Sequence, residues 1–419
     1  MKFKEFIANR YPALQSRNFA IFWVGQFISL IGTWMQSVTQ PYLAYRISGR
    51  PFDLGLIGFS SALPTLLLAL PAGVLVERLD KRKTVIFLQS IMMFQAFSLA
   101  FLALTGRIQI WHIMALAFIL GVANAIEITA RQAMLIELVG KDRLPNAIAL
   151  QSTIFNAARV IGPSIVAPFL IFIQKNGEGW AFLANGFSYL FVIFGLLFVQ
   201  VPFKVPVRDE KRNLVEEFQA GQRYIRATPI VGMIILMAGI VGLIGFPLLQ
   251  QIPVIARDVL AQLADTEASR AARNSLLYTA QGVGALFAAI TLASVEIKRK
   301  GWILTLGQYT FIVSLIFLSA SRLVTLTAML IMLVGWGTVT MLATMNTLIQ
   351  LEVPDDLRGR VFSTYLWGLQ GVAPFGSLII GWMAQNWGFP TAALVSAVTC
   401  LFAVTLIQVR HPEIRQRVA

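Results

Sequence analysis

The chain has few of the residues with which enzymes and disulfide-rich proteins do their chemistry. Its 419 residues include one cysteine and two histidines, and only 13% of them are charged. A single cysteine excludes a disulfide framework and a cysteine metal site. The sequence also lacks the Gly-x-Ser-x-Gly, His-Glu-x-x-His and Gly-x-x-x-x-Gly-Lys-Ser/Thr patterns of hydrolases, zinc proteases and phosphate-loop ATPases. We therefore expect neither an enzyme nor a bound cofactor.

Long apolar runs fill most of the chain. Hydrophobic residues make up 57% of it, which is too high for a soluble protein of this length. Runs of about 20 residues can cross a bilayer as helices. Twelve such runs lie at about 19–41, 53–76, 84–105, 111–135, 147–173, 180–201, 229–251, 275–296, 302–320, 323–349, 361–384 and 389–409. The predicted fold class is an all-α polytopic membrane protein with twelve transmembrane helices in two pseudo-symmetric six-helix bundles.

A polar segment separates the two sets of six helices. We expect residues 202–228 to form a cytoplasmic linker with a short amphipathic helix, between an N-terminal bundle at 1–201 and a C-terminal bundle at 229–419. Short similarities at a nearly constant offset, such as Gly162 with Gly376, indicate that the two halves arose by duplication.

The positive charge is distributed unevenly between the loops. The net charge is +14, and most of the 34 lysines and arginines fall in the ends and loops on the side of Met1. The positive-inside rule then places both termini in the cytoplasm of a multi-pass protein of the cell (inner) membrane. This distribution explains the basic character without a nucleic-acid partner. The expected partners are the lipid bilayer and a small amphipathic substrate, and the expected state is a monomer.

A dense charge cluster lies between the second and third predicted helices. The segment GVLVERLDKRK at 73–83 resembles the loop between helices 2 and 3 of major facilitator superfamily transporters, with Glu77 where the family has Asp and Asp80 where it has Gly. A basic anchor that only fixes topology is an equally open interpretation. The resemblance implies a gating hairpin, whose acid contacts the start of helix 11, built from Gly73, Glu77, Arg78, Lys81 and Arg82.

Two further segments carry the resemblance into the helices. Residues 18–36 and 130–163 are similar to the superfamily branch that contains the enterobactin exporter and multidrug efflux proteins. The Gly-Pro pair at 162–163 resembles the antiporter motif of drug exporters, although Val-Ala at 166–167 replaces its paired glycines. The resemblance implies a secondary active transporter that exports drugs or siderophores by alternating access, with proton coupling left open.

Charged residues in the fourth and fifth helices are the candidates for proton coupling. Glu127 and Arg131 are four residues apart, in the order that favours an ion pair on a helix. Arg159 in helix 5 is within one or two turns of Glu127 in depth. We predict that Glu127 is the protonatable group and Arg159 its switching partner. A permanent structural pair, above all for Arg131, is the alternative.

Amides and hydroxyls inside the apolar runs are the candidates for a substrate cavity. In helix 1 they recur on one face, and close packing of small polar residues is the alternative explanation. Such a lining suits a large, weakly charged amphipathic molecule. The candidates are Gln26, Thr33, Gln36, Gln40, Asn124, Asn156, Gln251, Gln281, Asn346 and Gln370.

Two other functions stay open on the sequence alone. A lysophospholipid translocator would use an apolar cavity that opens sideways. A membrane receptor or scaffold would move no substrate at all. The sequence decides neither the substrate nor the direction of transport.

Overall fold

The computed structural model describes residues 11–77, 79–173, 176–199, 214–294 and 299–416. Within these ranges twelve helices are long and apolar enough to span a membrane, which confirms the predicted fold class. The first six are α1 (Arg17–Ser48), α2 (Pro51–Glu77), α3 (Lys81–Leu104), α4 (Ile110–Val139), α5 (Leu144–Phe172) and α6 (Gly177–Leu197).

A short helix, α7 (Leu214–Ala227), lies in the polar segment where one was predicted. Six spanning helices and a short terminal helix follow it. They are α8 (Pro229–Val259), α9 (Glu267–Ser294), α10 (Lys300–Ala320), α11 (Val324–Glu352), α12 (Asp355–Leu366 with Trp367–Gly371 and Ala373–Trp387), α13 (Phe389–Arg410) and α14 (Glu413–Gln416).

Two of the later helices are irregular. In α8, π-helical turns occur at Val241–Gly245 and Ile255–Val259, and α12 has one at Trp367–Gly371. Proline lacks the N–H that would continue the α-helical ladder, and Pro247 and Pro374 follow two of these turns within a few residues. Two of the π-helical turns therefore lie beside a proline, and such turns mark places where these helices can bend.

The chain folds as two compact units. Unit 1 holds the described residues of Met1–Ile47 and Leu63–Arg208, and unit 2 holds those of Ser48–Ala62 and Asp209–Ala419. Helix α2 is thus divided, because its first part packs in unit 2 and the rest in unit 1. The predicted bundle limits at 201 and 229 stay a prediction.

Unit 1 is held together by close contact between α1 and α6. A Cβ atom at Gly25 would lie 2.6 Å from the carbonyl oxygen of Phe191, so only glycine lets the two backbones approach so closely. At one end of this contact, Phe19 and Phe22 of α1 are fully buried together with Val192. The small residues bring the helices together, and the aromatic residues fill the space beside them.

In unit 2, glycines allow a similar close approach of the backbones of α9 and α11. A Cβ at Gly284 or at Gly335 would collide with a carbonyl oxygen of the facing helix, that of Met332 or Gln281 respectively. The first part of α2 packs against α12 in a similar way, because Gly55 lies against the backbone of Ser377. Close backbone contact replaces hydrophobic driving force between helices that lipid surrounds.

The outer faces of the helices are apolar. On α3, Phe87, Phe94 and Phe101 are 65%, 73% and 61% exposed. They follow one another at seven-residue intervals and so form a stripe along one face. An exposed aromatic stripe of this length suits contact with lipid chains.

Candidate functional site

A partly buried ion pair lies in the second half of α4. Arg131 donates from Nε to both carboxylate oxygens of Glu127, at 3.1 and 3.3 Å. Gln89 of α3 donates to the same carboxylate at 3.1 Å. Only 3% of Glu127 is exposed, so the pairing and the hydrogen bond offset the cost of removing its charge from water.

Arg131 uses only part of its guanidinium in this pair. Its Nε is engaged, whereas Nη1 and Nη2 have no hydrogen-bond partner in the described part of the chain. The side chain is 20% exposed. Two charged donors of Arg131 are therefore available to another group.

The tyrosine of α6 connects that helix to α1. Tyr189 is fully buried, and its hydroxyl lies 3.4 Å from the Thr33 hydroxyl. Thr33 also donates to the carbonyl of Ser29 at 2.9 Å. These two hydroxyls therefore join α6 to α1 inside unit 1.

The glutamines of α1 lie deep inside unit 1. Gln36 donates to Gln95 of α3 at 3.1 Å and to Gln40 at 3.2 Å, and it accepts a hydrogen bond from Asn185 of α6 at 2.7 Å. Gln26 is also buried, and its Oε1 has no hydrogen-bond partner among the described residues. These side chains join α1 to α3 and α6, and their part in a substrate cavity stays a prediction.

Arg159 lies apart from Glu127 in this structure. Its guanidinium is 5.5 Å from the ring centre of Trp34, a cation–π contact. No carboxylate of the described residues is within ion-pair distance of it. The predicted exchange of partners with Glu127 therefore needs a second arrangement and stays a prediction.

A pocket of about 690 Å³ opens between α4 and α5 next to the ion pair. Gln151 lines it, and both atoms of its amide are buried without a hydrogen-bond partner in the described chain. Nearby, Asn156 donates to the Ser152 carbonyl at 2.8 Å, whereas Asn124 is half-buried. The lining residues are Ile128, Arg131, Gln132, Leu135, Ile136, Leu144, Ile148, Gln151, Ser152 and Phe155.

The four candidates in unit 2 lie on four different helices. Gln251 of α8 donates to the carbonyl of Pro51 at 3.3 Å, and Gln281 of α9 is buried. Asn346 of α11 accepts a hydrogen bond from Gln350. Gln370 is exposed in the π-helical turn of α12. No hydrogen bond joins these four to one another.

The charged hairpin before α3 connects three helices of unit 1. Lys81 forms a buried ion pair with Glu137 of α4 at 3.1 Å. Arg82 donates to the carbonyls of Leu196 and Leu197 at the end of α6, at 2.7 and 3.0 Å, where a cation complements the helix dipole. The hairpin therefore fixes one end of α3 against α4 and α6.

The remaining members of the hairpin are less completely described. Asp80 caps α3 by accepting a hydrogen bond from the backbone of Lys83 at 3.0 Å, which explains why this chain tolerates an acid at that position. Arg78 lies outside the described residues, and neither the surroundings of Gly73 nor the side chain of Glu77 is described. The gating role of the hairpin stays a prediction.

An amide chain in unit 2 was not among the predicted sites. Gln408 of α13 donates to Gln308 of α10 at 2.7 Å, and Gln308 donates to the sulfur of Met237 in α8 at 3.1 Å. Arg415 of α14 donates to Gln408 at 2.7 Å. These glutamines, like Gln95 in unit 1, interrupt apolar runs. This interruption of the apolar runs could have identified them from the sequence, since an amide inside a bilayer needs a hydrogen-bond partner.

The connection between α8 and α9 contains an ionic lock. Arg273 of α9 donates to the Ala256 carbonyl at 2.9 Å and pairs with the buried Asp265. Burial alone would raise the pKa of the Asp265 carboxyl, but hydrogen bonds from the Gln262 backbone, Arg273 and Ser269 hold this pKa below its ordinary value. The lock fixes the irregular end of α8 to the start of α9.

Comparisons with known proteins agree along nearly the whole chain. A family model described as "Transmembrane secretion effector" matches residues 8–417. The enterobactin exporter EntS of Escherichia coli strain K12 is 21% identical over 94% of this chain and 92% of its own. The staphyloferrin A transporter of Staphylococcus aureus strain NCTC 8325 is 23% identical over 92% of this chain and 94% of its own.

Solved transporter structures have the same fold. A bacterial homologue of the human lysosomal transporter Spinster, in an inward-facing and unoccupied conformation, superposes with a TM-score of 0.68 at 15% identity, over 96% of this chain and 99% of its own. The D-xylose–proton symporter superposes with a TM-score of 0.65 at 12% identity, over 91% of this chain and 97% of its own. At these identities the likeness concerns the fold alone.

Proposed function

Because the chain belongs to the transmembrane secretion effector family of the major facilitator superfamily, we propose that it exports amphipathic small molecules, with siderophores as the first candidates. Two of its relatives are, by name, an enterobactin exporter and a staphyloferrin A transporter. Each is similar to this chain over more than nine-tenths of its length. A related substrate class is the simplest extension of this similarity.

The observation that carries the proposal is the ion pair of Glu127 and Arg131. Charged residues inside membrane helices are costly and mark transport pathways or proton relays. Here the carboxylate is buried, whereas the arginine reaches the pocket between α4 and α5. Protonation of Glu127 would neutralise it and release Arg131. We propose that this step couples proton movement to substrate movement.

Alternating access needs helices that can change shape. The π-helical turns of α8 and α12 provide bending points in unit 2. In α2 the boundary between the units falls next to Pro64, where the helical ladder lacks one hydrogen bond. These features support a cycle in which the two parts of α2 move with different units.

The proposed location is the inner membrane, with both termini in the cytoplasm and the protein acting as a monomer. The bias of lysine and arginine towards the loops on the side of Met1 supports this orientation. Cysteine labelling of residues added at each end, in intact cells, would test it. Labelling by a membrane-impermeant reagent at either terminus would contradict it.

The test of the proposed function is efflux from proteoliposomes. The purified protein is reconstituted, the vesicles are loaded with enterobactin, and release is followed with and without an imposed pH gradient. We expect release that exceeds that of protein-free vesicles and that changes with the gradient. Release equal to that of protein-free vesicles, for enterobactin and staphyloferrin A alike, would contradict siderophore export.

A further inference from the structure

The pocket between α4 and α5 has the features of a binding site for a charged ligand. We propose that it binds an amphipathic anion, whose anionic oxygens are held by Arg131 and whose apolar body lies between the two helices. The inference rests on the proposed function, because it names the substrate class and the place where unit 1 holds it. Three independent observations support it.

The first observation is the geometry of the Arg131 guanidinium. Glu127 occupies Nε, so Nη1 and Nη2 have no protein partner in the described chain while the side chain lines the pocket. Two parallel N–H donors match the two oxygens of a carboxylate or phosphate. A lysine at this position could not present the same pair of donors.

The second observation is the amide of Gln151. Its Nε2 and Oε1 are both buried, and neither has a hydrogen-bond partner in the described chain. Buried polar groups without partners are uncommon and call for an explanation. Because solvent does not reach either atom, a ligand in the pocket would supply the missing hydrogen bond to Nε2 by drawing the Gln151 amide towards it.

The third observation is the character of the lining. Aliphatic and aromatic side chains dominate it, including Ile148 and Phe155, and no acidic residue is among the lining residues. Its volume of about 690 Å³ is in the range of small-molecule pockets. The unoccupied donors of Arg131 therefore favour an anionic group, and the walls select an apolar body about the size of a fused aromatic ring system or a short acyl chain.

The experiment measures binding to the full chain in lipid nanodiscs, with empty nanodiscs subtracted. Three probes share one naphthalene body: 2-naphthoate, neutral 2-naphthalenemethanol and 2-naphthylmethylammonium. Because charge-assisted bidentate hydrogen bonds are strong, we expect 2-naphthoate to bind about tenfold tighter than the neutral probe or better. The ammonium probe should bind most weakly of the three. Equal affinity for all three probes would overturn the proposal.

Two variants locate the binding. Arg131→Gln should reduce the affinity for 2-naphthoate to that for the neutral probe. Because this change also removes the partner of Glu127, Ile148→Trp is the second variant, which fills the pocket and leaves the ion pair intact. It should weaken all three probes. Its matched control is Ile119→Trp, on the exposed face of α4 outside the pocket lining, which should bind like wild type.

The source of the anion is decided by competition. Displacement of 2-naphthoate by lauroyl lysophosphatidate at a lower concentration than by unlabelled naphthoate would identify a lipid as the natural ligand. The reverse order would identify a soluble acid. Unchanged 2-naphthoate binding in Ile148→Trp would overturn the pocket assignment even if enterobactin efflux persists. Failure of efflux with intact 2-naphthoate binding would overturn only the export proposal.

Discussion

Units 1 and 2 differ in where they keep their charges. In unit 1, Glu127 and Arg131 lie within α4 and Arg159 within α5. In unit 2 the interiors of the spanning helices have no Asp, Glu, Lys or Arg. These charge-free stretches are 229–256, 274–294, 301–320, 324–351 and 361–409. Because intramembrane charge is costly and is kept for function, the difference supports the proposal that coupling takes place in unit 1.

The two units are alike in how amides hold their helices. Gln95 connects α3 to α1 through Gln36. In unit 2, Gln308 of α10 connects to α8 through Met237 and to α13 through Gln408. In both units a glutamine of the third helix holds the first helix or the sixth. The amide clusters therefore suit a scaffold that both units need, whereas the ion pair supports the proposed coupling role of unit 1.

The largest effect is expected from Glu127→Gln. The amide keeps the shape of the side chain but cannot exchange a proton. In proteoliposomes, enterobactin release should no longer change with the pH gradient, while 2-naphthoate binding persists. The control is Glu267→Gln, which removes a half-exposed acid in unit 2 and should behave like wild type. If release from Glu127→Gln vesicles still changed with the pH gradient, coupling would have to depend on another residue.

Gln408→Leu should act on stability rather than on coupling. It leaves Gln308 and Arg415 without the partner they have in unit 2, which costs about 1–3 kcal/mol for a buried polar group. Thermal unfolding of the purified protein should show a lower Tm, with a pH-gradient response like that of wild type. Gln95→Leu in unit 1 is the matched variant and should lower the Tm similarly. Loss of the gradient response in a folded Gln408→Leu protein would contradict the proposed division of tasks.

The smallest effect is expected from Asp265→Asn in the connection between α8 and α9. Because the pKa of Asp265 is held below its ordinary value, its charged form stabilises the fold at neutral pH. This contribution disappears as the pH falls through the lowered pKa. The variant should therefore unfold at a lower temperature than wild type near neutral pH, and the difference in Tm should begin to shrink as the pH falls below about 4. A difference in Tm between wild type and variant that stays constant with pH would show that the Asp265 charge is not its cause.

Much of the fold follows from the sequence. Apolar runs predict twelve spanning helices, and the resemblance drawn from residues 73–83 and from helices 1 to 5 is confirmed by the family match. The helix ends are harder to predict from the sequence. Helix α1 continues to Ser48, whereas the apolar run was predicted to end near residue 41. Near the surface of a bilayer, polar residues can continue a helix that hydropathy no longer marks.

The site is predictable only in part. Helical spacing alone indicates the contact between Glu127 and Arg131. Spacing also places polar residues of α1 on one face of the helix, but it cannot say which neighbouring helix packs against that face. In the structure Gln36 meets Gln95 and Asn185, because the packing of α1 on α3 and α6 is a tertiary property. For the same reason the pocket between α4 and α5 could not be read from either helix alone.

The measurement that tests the account most directly is the number of protons exchanged when 2-naphthoate binds. Glu127 and the anion would share the guanidinium of Arg131, so each weakens the other's contact, and binding should favour the protonated carboxyl of Glu127. Among the described residues, Gln89 of α3 also donates a hydrogen bond to Glu127. In weakly buffered solution, the wild type should take up protons on binding, and Glu127→Gln should take up none. Proton release by the wild type, or equal uptake by both proteins, would contradict the coupling of substrate and proton through this pair.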